Sequence, residues 1–458
     1  MVFSSILFLF RFLPIALITY YITPNKYKNM VLTILSLIFY SWGEGKYFLI
    51  MIASILVDYT AGRVIYKYRE DRMKSISVLC ISLAFNLGML FFFKYFNFFI
   101  YNINEIFNLA INNVKITLPL GISFYTFQTM SYSIDVFMGK IEAEKNIINF
   151  SAFVTLFPQL IAGPIVKYTD IANEIKERKV CLDDIEEGIE KFILGLGRKV
   201  LIANNIGMLW SDVEGLGFNN ISTPLAWIGV VAFGLQIYFD FSGYSLMAIG
   251  LGKMIGFNFP ENFNYPYISR SISEFWRRWH ITLGEWFKEY VYIPLGGNRK
   301  GKLRVGVNLF IVWFLTGLWH GASYNFILWG LLFFILILVE KLGFNKILEK
   351  HKIFSHCYTI FFLIMGWTLF AITNFNSIGE YFRKLFIYSG GTDWIYYVRN
   401  YGISLIIAII FSIPVFSDLY KKIESYKWIK TIILMIIFIV AVAYLVDATY
   451  NPFLYFRF

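Results

Sequence analysis

VGVNLFIVWFLTGLWHGASYNFILWGLLFFILILV, residues 305–339, runs for 35 residues without one Asp, Glu, Lys or Arg. A helix rises about 1.5 Å per residue, so roughly 20 apolar residues cross the ~30 Å of a bilayer's hydrocarbon. The run is too long for one crossing and is interrupted by glycine, histidine and serine between Gly317 and Ser323. It reads as two membrane helices broken there, which makes the protein all-α and polytopic.

Working outward, comparable apolar runs lie at about 5–23, 30–43, 47–66, 76–101, 224–255, 357–376, 402–417 and 428–447. The reading is ten to twelve crossings, with one or two re-entrant or interfacial helices, around a central tunnel. The whole chain, 1–458, reads as one integral-membrane domain with N-terminal helices over about 1–115, a core over about 116–340 and C-terminal helices over about 341–458. The composition agrees: 58% of residues are hydrophobic, 16% are charged, and the mean hydropathy is +0.60. No cleavage signal follows Thr23, so the first span reads as a retained helix.

The net charge of +11 falls mainly in short segments between spans, as cytoplasmic loops require, and not in a nucleic-acid-binding surface. The loop Lys67–Lys74 is basic while 101–115 is nearly free of Lys and Arg. This places Lys67–Lys74 in the cytoplasm and the amino terminus outside. Three dispersed cysteines, Cys80, Cys181 and Cys357, give no disulfide framework.

Several features break the apolar runs. Leu118–Gln128 carries Pro119, Gly121 and hydroxyls, which fits either a cavity wall or a kinked packing helix. Lys167–Lys191 reads as an amphipathic surface helix. Gly252 and Gly256 form a G-x-x-x-G pair for close helix packing, and Gly195-Leu-Gly197 reads as packing as well. Asp240 lies within a span, where a carboxylate faces the protein interior or a cavity.

The chemistry concentrates between Ser273 and His320. Trp276, Trp279, Leu283, Phe287 and Tyr290 recur at helical spacing, so Glu274–Tyr290 is expected as one amphipathic helix, in the interface or dipping into the protein, with His280 at the border of its apolar stripe. Between Arg270 and Arg304 eight Lys or Arg face three glutamates, around the glycine-rich turn Tyr292–Gly301. This is either a positive cytoplasmic loop or an anion site, with Arg277, Arg278, Asn298 and Arg299 as candidates for binding a phosphate-bearing acyl donor. His320 is an imidazole in a strongly apolar run, either a packing residue or a general base. Asp240, Trp276 and Trp319 are the candidate cavity-lining residues. Two histidines forty residues apart, without nearby cysteines or acid pairs, do not spell a metal site.

The segments Met1–Ser5, Pro119–Phe124, Phe157–Pro164, Asp240–Tyr244, Pro260–Asn264, Phe275–His280, Tyr292–Arg299 and Leu318–Gly321, as an ordered set, resemble the membrane-bound O-acyltransferases. The closer likeness is to their bacterial branch of alginate and peptidoglycan O-acetylation proteins. The resemblance implies that His320 is the family's membrane-embedded histidine and His280 the second histidine of this branch. It also implies acetyl-CoA as donor, with no bound cofactor, and a cell-surface or secreted polysaccharide as acceptor. That acceptor would be reached through an extracytoplasmic partner of the SGNH esterase type, from a multi-pass protein among the lipids of the bacterial cytoplasmic membrane. D-alanyl transfer to teichoic acid, or a transporter or flippase without acyl chemistry, are the alternatives.

Overall fold

The structure is a computed structural model that describes residues 2–458 except 162, 416–419, 421, 423–425, 448–449, 452–453 and 455–458. Among the described residues every regular element is helical, and nine helical stretches are long and apolar enough to cross a membrane. The first of these, Asn25–Lys67, turns at Gly45 (φ 50°) into two helices, Lys28–Glu44 and Phe48–Lys67. A shorter apolar helix, Phe8–Ile22, precedes it. The protein is a multi-pass membrane protein.

The chain divides into two compact units, one comprising Met1–Phe192 with Met247–Pro260 and the other Ile193–Leu246 with Glu261–Phe458. In the first, the helix Ile122–Phe137 is buried on nearly every face. It starts after Gly121, whose φ of 72° only glycine adopts freely. The break at Leu118–Gln128 is therefore the entry to a packing helix. The expected surface helix over Lys167–Lys191 is instead two, Tyr168–Lys176 and one beginning at Leu182. Residues 177–181 between them are not helical, and the Cys181 N–H donates to the Asp184 carboxylate, 3.1 Å away.

Gly252 and Gly256 do not form the expected helix contact. Gly256 lies past the helix end at φ 85°, and the space above Gly252 is filled by the Phe259 ring. The close approaches fall on other glycines. A Cβ on Gly250 would meet the Gly188 carbonyl, and one on Gly243 would lie 2.8 Å from the Gly195 oxygen. The latter agrees with the packing role read for Gly195–Gly197.

In the second unit the run 305–339 folds as expected into two helices, Gly301–His320 and Tyr324–Val339. They touch backbone to backbone, since a Cβ on Gly317 would meet the Phe326 carbonyl and one on Gly330 the Trp313 carbonyl. Lipid supplies no hydrophobic drive between membrane helices, so such small-residue contacts carry the packing.

The stretch expected as one helix over Glu274–Tyr290 is broken at His280. Two seven-residue helices, Ile272–Arg278 and Ile281–Phe287, flank it. The first begins where Glu340, at the end of Tyr324–Val339, accepts the N–H groups of Ile272 (2.6 Å) and Ser273 (2.8 Å). It then carries Trp276 onto Trp313 and Trp329, and the break brings His280 beside Trp319. The second helix leads back to the basic turn, where Asn308 donates to Gly297 O and Arg304 to Leu295 O. The pair is a re-entrant hairpin with His280 near its tip. Its backbone is satisfied from within: Phe263 pairs with Trp279 as an antiparallel bridge, Ile281 N–H donates to Asn262 O (3.0 Å) and Asn264 N–H to Arg278 O (2.9 Å).

Replacing Gly330 by alanine forces a methyl against a backbone oxygen that cannot yield. G330A should lower stability by about 1–3 kcal/mol. G306A, whose added methyl meets only a side-chain carbon at 3.8 Å, should not; unfolding of both variants in detergent measures the difference.

Candidate active site

His320 is the last residue of its helix and is only 6% exposed. Its ring is walled by Trp319 (5.0 Å between centroids), Trp329 (4.9 Å), Phe370 (5.1 Å) and Phe326 (6.4 Å). It lines a cavity of about 10 Å³ together with Asp240, Phe241, Trp279, Trp329, Trp367 and Phe370, among others. That volume holds about one water molecule. Aromatic side chains thus make up most of the wall of the pocket that His320 meets.

His280 is 2% exposed and packs across Trp319 (5.9 Å) and against Phe241 (4.7 Å). It holds a left-handed backbone, φ 45°, a conformation a non-glycine residue keeps only when its surroundings impose it. Asn262 imposes it. The Thr282 N–H donates to Asn262 Oδ1 (3.3 Å) and the Thr282 hydroxyl lies 3.0 Å from the same atom. An N–H can only donate, so that atom is the amide oxygen, and His280 Nδ1, 3.1 Å away, must donate to it as well. In the neutral ring the lone pair is then on Nε2. The Asn262 amide donates in turn to Ser245 Oγ (3.1 Å).

Asp240 borders the His320 cavity and is ion-paired. Lys199 Nζ lies 2.7 Å from its carboxylate, and both side chains are almost wholly buried. Lys199 also donates to Asn204 Oδ1 (2.7 Å), and the second carboxylate oxygen accepts the Leu454 N–H (3.0 Å). A buried charge in a membrane helix requires such a partner.

The remaining candidates separate. Trp319 lies between the two histidines. Trp276 is packed among Trp313, Trp329 and Phe333 and is not among the residues that line the cavity. Arg277 is exposed, whereas Arg278 is engaged by Glu274 (3.0 Å) and Asn264 O. Asn298 and Arg299 are exposed on the basic turn, where Asn298 accepts from Tyr292 (2.6 Å) and Lys341 (3.5 Å). That turn and His320 stand at opposite ends of a 20-residue helix, about 30 Å apart.

Sequence reasoning missed Asn262, Lys199 and the wall formed by Trp329, Trp367 and Phe370. Asn262 lies in Pro260–Asn264, a stretch used above only for resemblance. The others sit in or beside apolar runs that read simply as spans. Among the described residues no three His, Cys, Asp or Glu are placed to hold a metal ion.

The protein is thus a helical membrane protein that holds a buried imidazole at the end of a span, against a pocket walled largely by aromatic rings. The sequence profile of the membrane-bound O-acyltransferase family matches residues 141–381, and the chain belongs to that family. It is 40% identical over 399 residues to the "probable alginate O-acetylase" of Pseudomonas syringae, covering 86% of this chain and 76% of that one. It is 31% identical to the "peptidoglycan O-acetyltransferase" of Helicobacter pylori over 100% and 98% of the two chains. The "teichoic acid D-alanyltransferase" of Bacillus subtilis is more distant, 27% identical over 55% of this chain and 68% of its own. The protein is an O-acyltransferase.

Removing one member of the buried ion pair, in K199M or D240L, should cost about 3–5 kcal/mol, and the double variant less than the sum; equilibrium unfolding of the three variants tests it.

Proposed function

We propose that this protein takes acetyl groups from acetyl-CoA for the O-acetylation of a cell-surface or secreted polysaccharide. It works in the bacterial cytoplasmic membrane together with an extracytoplasmic acyltransferase of the SGNH esterase type. The observation that carries the reading is His320, a buried imidazole lining the aromatic cavity at the end of a membrane helix. The names of the relatives support acetyl as the acyl group and a polysaccharide or peptidoglycan as the acceptor.

His320 takes the proton from an acceptor hydroxyl as its oxygen attacks the thioester carbonyl. The carbon–sulfur bond then breaks, and the coenzyme A thiolate takes the proton back from the imidazolium, so free thiol is released. The pocket at His320 is too small for both reactants, so Trp329, Trp367 and Phe370 have to move to admit them. His280, set by Asn262, acts through Trp319 as a positioning residue. The basic turn at Arg299, together with Arg277, meets the phosphates of the donor from the cytoplasm.

D-alanyl transfer is the less supported reading, given the lower identity and coverage of those relatives. The buried Lys199–Asp240 pair would suit a transporter as well as an enzyme; membership in the acyltransferase family argues against a transporter.

H320A should lower acetyl transfer about 10²–10⁴-fold, the usual contribution of a general base, in protein that is still folded and present at the parental level. It is read from released thiol and from O-acetyl groups on the surface polymer. Transfer at the parental rate would remove His320 from the chemistry. R299A/K302A should raise the KM for acetyl-CoA several-fold at low salt and by less at higher salt, where the parent's own attraction is screened, with kcat retained.

A further inference from the structure

In the second unit, the loop that follows the helix Asn204–Leu216 and the start of the helix Phe375–Phe386 line a cavity of about 380 Å³. Small-ligand pockets span about 300–1,000 Å³, so the space suits a ligand of one or two sugar rings. The cavity lies at the end of the spans away from the basic turn. Gly301–His320 leaves that turn, Tyr324–Lys350 returns to the segment of Lys341, Lys346 and Lys350, and Lys352–Ala371 crosses again to reach Ile372 in the cavity wall. Basic segments stay in the cytoplasm, which puts the cavity on the outer side. Ile372 follows Phe370, a wall of the His320 pocket, by two residues. At most about 7 Å of chain joins the two walls.

The lining is set for hydroxyl groups. Asn374 Oδ1 accepts the N–H groups of Asn376 (3.0 Å) and Ser377 (3.2 Å), which leaves the Asn374 amide to donate. The Asn220 amide donates to Leu216 O (2.8 Å), which leaves its side-chain oxygen to accept. The loop that carries Asn220 turns at Gly217, φ 77°, and is anchored by Phe218 against Tyr381 (4.8 Å) and Trp210 (6.1 Å). Donor and acceptor are therefore in place before a ligand arrives, which lowers the cost of binding one. Glu214 and Glu380 add two carboxylates, and among the described residues neither side chain has an ion-pair or hydrogen-bond partner. An ionised carboxylate only accepts, so the pair welcomes sugar hydroxyls and repels a uronate. No Lys or Arg is among the described lining residues.

We propose that this cavity is a saccharide subsite that holds a sugar unit without negative charge, from the acceptor polymer, beside the His320 pocket. The proposal rests on the reading of the acceptor as a polysaccharide. A basic protein segment would also meet the two carboxylates, but a stable protein interface needs about 800 Å² on each partner, and a concave space of this size fits a small rigid ring better.

The test is saturation-transfer NMR and titration of the full-length protein in lipid nanodiscs, with neutral tetrasaccharides of glucose, mannose and N-acetylglucosamine and with tetragalacturonate. At least one neutral probe should bind, tetragalacturonate should not, and H320A should bind as the parent does. E214A and E380A should each weaken binding about tenfold or more, the loss of a hydrogen bond to a charged group. E380Q, which keeps an accepting oxygen, should recover part of the loss and covers the case in which E380A fails to fold. The proposal is overturned if no neutral probe binds, if tetragalacturonate binds as tightly, or if E214A and E380A bind like the parent. It is also overturned if E214A/E380A loses a co-purifying protein while no probe binds the parent, which assigns the cavity to a protein partner. Thiol release from acetyl-CoA on the same preparations separates the two readings: its persistence without saccharide binding sinks this subsite alone, and its absence sinks the acetyl-transfer reading.

Discussion

A chain that turns back part-way through a bilayer has no water to satisfy the turn, and this protein meets that constraint with one asparagine. The Asn262 oxygen takes three donors, the Thr282 amide, the Thr282 hydroxyl and the His280 ring, while its backbone carbonyl takes Ile281 N–H. The re-entrant hairpin, the left-handed backbone of His280 and the tautomer of its ring all depend on that residue. Losing it would orphan several buried groups at once, and the site would lose its geometry together with its fold.

The rest of the site is arranged around the same economy of polar atoms. Aromatic rings make up much of the wall around His320, and the charged groups admitted near them are matched. Glu340 closes the N-terminus of Ile272–Arg278, and Lys199 closes on Asp240.

The spans and the break between Gly301–His320 and Tyr324–Val339 were legible because apolar length and a glycine–serine interruption report directly on crossing and stopping. Both histidines were legible because an ionisable group stands out in an oily run. The break at His280 was not. Residues 274–290 have good helical periodicity, and the departure from it is imposed by Asn262, which the local pattern does not contain. The Lys199–Asp240 pair escaped for a related reason. Asp240 announced itself within a span, but Lys199 follows Arg198 near a helix of mixed polarity, and nothing local joins the two. The glycine contacts were legible in kind and misplaced in position: G-x-x-x-G spacing marked Gly252 and Gly256, while the contacts fall on Gly188, Gly195, Gly243 and Gly250, where facing backbones decide.

The buried ion pair bears on how the protein enters its membrane. Lys199 and Asp240 lie on consecutive membrane helices, Leu182–Leu216 and Thr223–Met254, so the ribosome delivers the cation well before its partner. A lysine at the centre of an isolated helix opposes insertion by about 2.5–3.5 kcal/mol. The first helix therefore gains from waiting at the translocon until the second arrives, and the two enter the lipid as a preassembled hairpin.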